Sequence, residues 1–227
     1  MDSTLINLLN KRQAWYGVLS RYSYFLIVLC GLLVIGAGSA YILRPYAPAD
    51  LATGNQLMRS GFYTDWQQGN LVVVMRHVER CDHSTNPCLA QADGITRKGQ
   101  GIARQLGQSI RAMDLSSADI YNSPLRRTEQ TSSLVFNRTS PAQDWLINCR
   151  KTMLDDVLKH KLDQRNLILV THSECIAQLE KSLNVSGPAT LDYGSSLILS
   201  VDPKTHSPRV LGVIDALSWG RVLAQRP

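Results

Sequence analysis

The chain has 227 residues, 44% of them hydrophobic and 19% charged, and a net charge of +6. That apolar content excludes a wholly disordered chain, and ordinary Gly and Pro numbers exclude a collagen-like or low-complexity one. The mild positive excess suits an anionic substrate or a membrane surface and does not by itself indicate a nucleic-acid binder.

Residues 1–23 read as a cytoplasmic leader with Lys11, Arg12 and Arg21. Tyr24–Leu43 (YFLIVLCGLLVIGAGSAYIL) carries no charge over 20 residues. As a helix it would be about 30 Å long, the thickness of a hydrocarbon core. The length of the run and the 23-residue leader predict an uncleaved signal anchor crossing the inner membrane once, and the basic residues before it predict the N-terminus in the cytoplasm and the residues after Leu43 in the periplasm. A cleaved signal peptide, cut near the small residues Gly38 and Ala40, is the competing reading. Residues 44–69, with Pro45 and Pro48, read as a linker leading into one short helix.

Residues 70–227 are predicted to be one α/β domain, because strand and helix signals alternate from Asn70 onward. Leu71–Met75 is a continuous apolar run of β-branched character, the mark of a strand buried on both faces. Gly94–Met113 has apolar residues at helical spacing. Asp119–Asn122 reads as a short strand, and Leu125–Phe136 as a helix with Pro124 at its first position. Thr152–His160 is helical, Leu167–Thr171 a second buried strand and Glu174–Leu183 a helix. Ser195–Val201 and Arg209–Asp215 are late strands joined by the turn Asp202–Pro208. The expected architecture is three-layered: a mostly parallel sheet with helices on both faces.

Two histidines stand just past the two most buried strands, His77 and His172. Ligands of open α/β sheets bind at the carboxyl ends of strands. His77 lies in R-H-V-E-R with Arg76 and Arg80, and a third strand exit, at Ser123, leads to Arg126 and Arg127. Guanidinium groups are planar forks of donors suited to phosphate oxygens. A His beside bound phosphate can attack phosphorus and form a phosphohistidine. Taken singly, such a His is more often a structural hydrogen-bonder and such an Arg a surface charge; their combination at three strand ends is what points to phosphate chemistry.

With Val74–Arg80, Ser123–Thr131 (S-P-L-R-R-T-E-Q-T) and Leu169–His172, the chain resembles the histidine phosphatase superfamily, of phosphoglycerate mutase-like fold. More narrowly, R-H-V-E-R-C-D-H-S-T-N-P-C-L, D-G-I-T-R-K-G, R-T-E-Q and T-H-S-E-C are similar to the Ais group of lipopolysaccharide core heptose phosphate phosphatases. The resemblance runs from about Asn70 to Leu183. It implies His77 as nucleophile and Arg76, Arg80, Arg127 and His172 as the phosphate pocket, with Arg127 rather than Arg126 matching the S-P-L-x-R pattern. It implies no metal and no cofactor, and as partners a phosphorylated sugar or lipopolysaccharide and the inner membrane through residues 24–43, not nucleic acid. The chain departs from the family in its general acid: Ser173 comes directly after His172, and Glu174, Glu79 and Asp144 are all open candidates.

Of five cysteines, Cys30 lies in the apolar run. Four Cys in an exported domain suggest two disulfides. Cys81 and Cys88 bracket a short loop, and the pair Cys149 and Cys175 is left by elimination. A zinc site on His77, Cys81, His83 and Cys88 is the rival, disfavoured because a zinc-bound His77 could not attack phosphate. The leading expectation is an envelope phosphomonoesterase; a phosphate-binding or interaction module without effective turnover is the alternative.

Overall fold

The computed structural model describes residues 22–36, 38–39, 46–185 and 191–224. It divides the chain into two units, Met1–Pro45 and Tyr46–Pro227. In the first, residues 22–36 form helix α1, and 38–39 are also helical. The apolar side chains of α1, Phe25, Ile27 and Val34 among them, are exposed. Among the described residues no helix is long and apolar enough to cross a membrane. Residues 37 and 40–43 of the predicted span, and residues 1–21 of the predicted leader, lie outside the described residues.

The second unit carries helices α2 (Gln56–Ser60), α3 (Phe62–Gln67), α4 (Arg97–Ile110), α5 (Arg126–Phe136), α6 (Met153–His160), α7 (Ser173–Ser182) and α8 (Trp219–Leu223). Its strands are β1 (Leu71–Arg76), β2 (Ala118–Asn122), β3 (Asn166–Thr171), β4 (Ser196–Val201) and β5 (Pro208–Ile214), in spatial order β2-β3-β1-β4-β5. The central strands β1, β3 and β4 are buried nearly throughout, whereas β2 at one edge alternates buried and half-buried residues. That is why β1 and β3 read as unbroken apolar runs in the sequence.

Because successive side chains of a strand point to opposite faces, the sheet divides the core in two. Val73, Met75, Ile168, Val170 and Ile198 pack with Leu106 and Ile110 of α4, Val135 of α5 and Trp219 of α8. Val72, Val74, Leu167, Leu169 and Leu199 pack with Met153 and Val157 of α6 and Ile176 and Leu179 of α7. Helices on both faces are therefore as expected. The mostly parallel sheet is corrected: β1–β3 and β2–β3 are parallel, but β1–β4 and β4–β5 are antiparallel. A short turn joins β4 to β5, held by Asp202 Oδ1 accepting from the amides of Lys204 and Thr205. So short a connection returns the chain only as an antiparallel hairpin.

The predicted linker 44–69 is also corrected. From Tyr46 onward it belongs to the domain, with Leu51, Leu57, Phe62 and Trp66 buried in the larger core. Gly61, at φ 82°, ends α2 and starts α3. Two short helices broken by a left-handed residue leave too short a run for a 3.6-residue period to show. Asn166 fastens the segment, its Nδ2 donating to Trp66 O at 2.9 Å and its Oδ1 accepting from Leu71 N at 3.0 Å. At the other end, the Leu51 amide donates to Val213 O at 2.9 Å and the Val213 amide to Ala49 O at 2.8 Å. Helix boundaries shift where caps decide them. Thr96 accepts from Gly99 N and starts α4 at Arg97, and Leu125 is the N-cap of α5, which leaves Pro124 outside the helix.

Candidate active site

The parallel strands β1, β2 and β3 end on one edge, and each delivers a side chain there. Backbone bonds align them: the His77 amide donates to Thr171 O, and the Ser123 amide to Val170 O, both at 3.0 Å. Arg76 is the last residue of β1 and His77 comes next. His172 is the N-cap of α7, directly after β3, and Arg127 sits in the first turn of α5, beyond β2.

His77 is 3% exposed. Its Nδ1 lies 2.7 Å from Val78 O. A carbonyl only accepts, so Nδ1 carries the proton and Nε2 keeps its lone pair. Nε2 accepts from Arg127 Nε at 3.2 Å. Burial pushes the His77 pKa down to about 3; the Val78 carbonyl opposes this, and His172, Arg127 and Arg76 add to it. The ring is neutral at physiological pH, the state a nucleophile requires.

His172 lies beside it, ring centroids 5.3 Å apart. Its Nε2 is 2.7 Å from Ser123 Oγ, which is held by Thr128 Oγ1 at 3.0 Å. Its buried Nδ1 has no partner among the described residues. Burial first, then Arg127, pushes its pKa down to about 4, with Glu174 opposing.

Arg76 donates to Leu191 O, and its guanidinium carbon stands 3.9 Å from the centre of the Tyr193 ring. Its buried Nε has no partner among the described residues. Tyr193 also lies 5.6 Å from the His77 ring. Arg80 is gripped by Asp82, Nε to Oδ1 at 2.6 Å and Nη2 to Oδ2 at 2.5 Å. Arg126 turns to Asp93, Nε–Oδ1 3.0 Å. The structure thus brings His77 and Arg127 into contact and His172 beside them. Arg76 stands at the end of β1 and Arg80 four residues past it, each tied to a protein acceptor.

Of the three carboxylates that are candidates for the general acid, Glu79 is structural. It accepts from Ser84 Oγ and Asn86 Nδ2 at 3.1 Å and from Thr96 Oγ1 at 2.6 Å, stapling the loop beyond His77. Partial burial pushes its pKa up, but these hydrogen bonds outweigh that and hold it below the usual carboxylate value. Asp144 is exposed and opens a single 3₁₀ turn. Glu174 lines a cleft of about 440 Å³ together with Arg127, His172, Ile147, Arg150 and Gln178. Burial raises its pKa, but its own amide, Ser173, His172 and Arg76 more than reverse this.

Two disulfides brace these segments, Cys81–Cys88 and Cys149–Cys175, with Cα atoms 5.2 and 5.5 Å apart. The first occupies both thiols that the zinc reading needs. Sequence reasoning missed Tyr193 and the loop before β4, and it missed Asp82 as the partner of Arg80. The D-Y-G-S-S run ahead of β4 was the available signal, since Gly194 takes φ 79° and its amide donates to Arg76 O at 3.1 Å.

Both imidazoles have folded pKa values below the ordinary 6.5. An unfolded chain therefore binds these protons first, and stability present above pH 6.5 is lost as pH falls toward the folded values. Urea unfolding at about pH 7 and about pH 5 should differ by ~2 kcal/mol for each ring. His77→Gln should remove one ring's share of that difference.

The Arg80–Asp82 pair is partly exposed, at 22% and 35% of the side chains. Such a pair is worth about 1 kcal/mol or less. Asp82→Asn should free Arg80 and tighten inorganic phosphate binding up to about fivefold, read by calorimetry.

A buried neutral imidazole whose Nε2 faces a guanidinium, with a second imidazole alongside, is an arrangement that can attack a bound phosphoryl group. In sequence the chain is similar to the lipopolysaccharide core heptose(II)-phosphate phosphatases: it is 29% identical to the protein of that name from Escherichia coli O157:H7 over 187 residues, 80% of this chain and 88% of that one. The figures for the Shigella sonnei protein of the same name are identical. No family model matches the chain. Solved structures of similar form include a phosphoserine phosphatase from Entamoeba histolytica, at 14% identity and TM-score 0.49, covering 65% of this chain and 98% of that one. Another is a phosphoglycerate mutase from Bacillus anthracis, at 15% identity and TM-score 0.47, covering 69% and 99%.

Proposed function

We propose that the chain is a periplasmic phosphomonoesterase, anchored in the inner membrane by residues 24–43, that hydrolyses a phosphorylated envelope sugar of the lipopolysaccharide core heptose phosphate type. The observation that carries the chemistry is the unprotonated Nε2 of His77 beside Arg127. Nε2 forms a bond to phosphorus as the bond from phosphorus to the sugar oxygen breaks. That oxygen takes a proton, and Glu174, the one of the three candidate carboxylates that lines the cleft, is the candidate to give it. Water then attacks phosphorus, the P–N bond breaks, and inorganic phosphate leaves. Arg127, Arg76 and Arg80 carry the negative charge of the transferring group, a major source of rate in phosphoryl transfer. His172 Nδ1, unpartnered among the described residues, is free to meet a phosphoryl oxygen.

The charge-free run Tyr24–Leu43 supports the anchor, and the two disulfides support an oxidising compartment. The relatives' name supports the sugar. The low pKa of Glu174 favours a second reading, a phosphate-binding module without effective turnover. Phosphate release from an aryl phosphate and from purified lipopolysaccharide decides between them. An enzyme whose general acid is mostly ionised still releases phosphate readily from the aryl ester, whose leaving group needs little protonation, whereas a binding module releases none from either. Alkaline extraction of membranes should leave the chain in the pellet; release into the supernatant would remove the anchor.

A further inference from the structure

The cleft that Arg127 and His172 line extends well past what a phosphoryl group fills. One wall is a face of α7, where Glu174, Cys175 and Gln178 recur at helical spacing. The other is the stretch that runs from Ile147 to Arg150, and the Cys149–Cys175 disulfide ties the two walls together. Arg127 and His172 line the cleft too. Arg150 is exposed and, among the described residues, has no hydrogen bond or ion pair. Every other arginine named at the site is already engaged, Arg127 by His77, Arg80 by Asp82 and Arg76 by Leu191. A guanidinium without a partner on the wall of a cleft that Arg127 and His172 also line is a vacant anion receptor.

From this we infer that the cleft is a subsite for a leaving group that is itself anionic: a sugar bearing a second phosphate or a carboxylate, which Arg150 binds while Gln178 meets its hydroxyls. The inference rests on the phosphatase reading for which phosphate reacts, and adds the substrate class: sugars carrying two anions. The volume of about 440 Å³ is within the range of small-ligand sites and takes a hexose with both groups. Ile147 and the disulfide give the cleft an apolar side for the face of a sugar ring.

The test compares glucose 1,6-bisphosphate with glucose 6-phosphate by calorimetry on the full chain carrying His77→Ala, which cannot turn either over. The bisphosphate is expected to bind about tenfold more tightly, and adding Arg150→Gln should shrink the preference to within about twofold. No measurable preference, or one that survives Arg150→Gln, overturns the subsite. Phosphate release by the unsubstituted chain is scored separately, so a bisphosphate preference in a chain that releases no phosphate keeps the subsite and removes the enzyme.

Discussion

His77→Ala is expected to abolish phosphate release, with a loss of about four orders of magnitude or more, in a chain that still folds. The variant deletes the bond-forming atom, whereas Arg127, Arg80 and Arg76 remain to bind phosphate. Affinity for inorganic phosphate should therefore survive while turnover does not. The His77 ring is held by hydrogen bonds to Val78 O and from Arg127 Nε and by ring contacts to His172 and Tyr193, none of them to a strand residue, so its removal unpins no strand. Rapid quench of the unsubstituted chain should trap an acid-labile phosphoryl group that the variant lacks. Near-normal turnover in folded His77→Ala protein would refute the phosphohistidine mechanism. The same geometry fixes the His77 limb of the pH profile: with a folded pKa of about 3, the ring stays free for attack through the neutral range, and protonation of His77 should cut activity only in strong acid.

The second large effect is expected from Cys149→Ser with Cys175→Ser. The bridge spans a sequence separation of 26. Closing a loop of that size in the unfolded chain is worth ~3.5 kcal/mol on the loop-entropy relation, against ~2.5 kcal/mol for the shorter Cys81–Cys88 loop. A loss of that size is a large fraction of a typical domain's stability. Urea unfolding without reductant measures it. Because this bridge is also where the segment around Arg150 meets α7, the double variant should raise KM for a large phosphosugar more than for an aryl phosphate, which reaches only the phosphoryl end.

The chemistry of the strand ends was legible in the sequence because it is local. β1 and β3 are buried apolar runs, and each leads straight into a histidine, so two residues of the site could be placed without knowing the strand order. The arginine two residues beyond S-P-L was legible for the same reason, and Arg126 turning away to Asp93 agrees with it. What was not legible depends on pairings distant along the chain. Nothing in Ser196–Val201 tells that β4 lies antiparallel to β1, and that reversal is what brings the beginning of β4, with Leu191 and Tyr193, to the edge where β1 and β3 end. Residues 46–69 looked like a linker because their buried side chains are spread over two short helices and a bridge to β5, none long enough for a period.

If Arg80 binds the phosphoryl group as proposed, its contact with Asp82 bears on how the catalytic cycle ends. A pocket of bare arginines would hold inorganic phosphate as tightly as it holds the ester, and the product would linger. Asp82 is a tethered competitor for the same guanidinium, two residues away along the chain and at fixed effective concentration. It weakens ester and product alike at that one cation, by about fivefold at most. An ester that also fills the long cleft recovers the difference through its sugar, and free phosphate, which has no sugar, does not. On the proposed mechanism, a carboxylate that never touches phosphorus would thus help to clear the product.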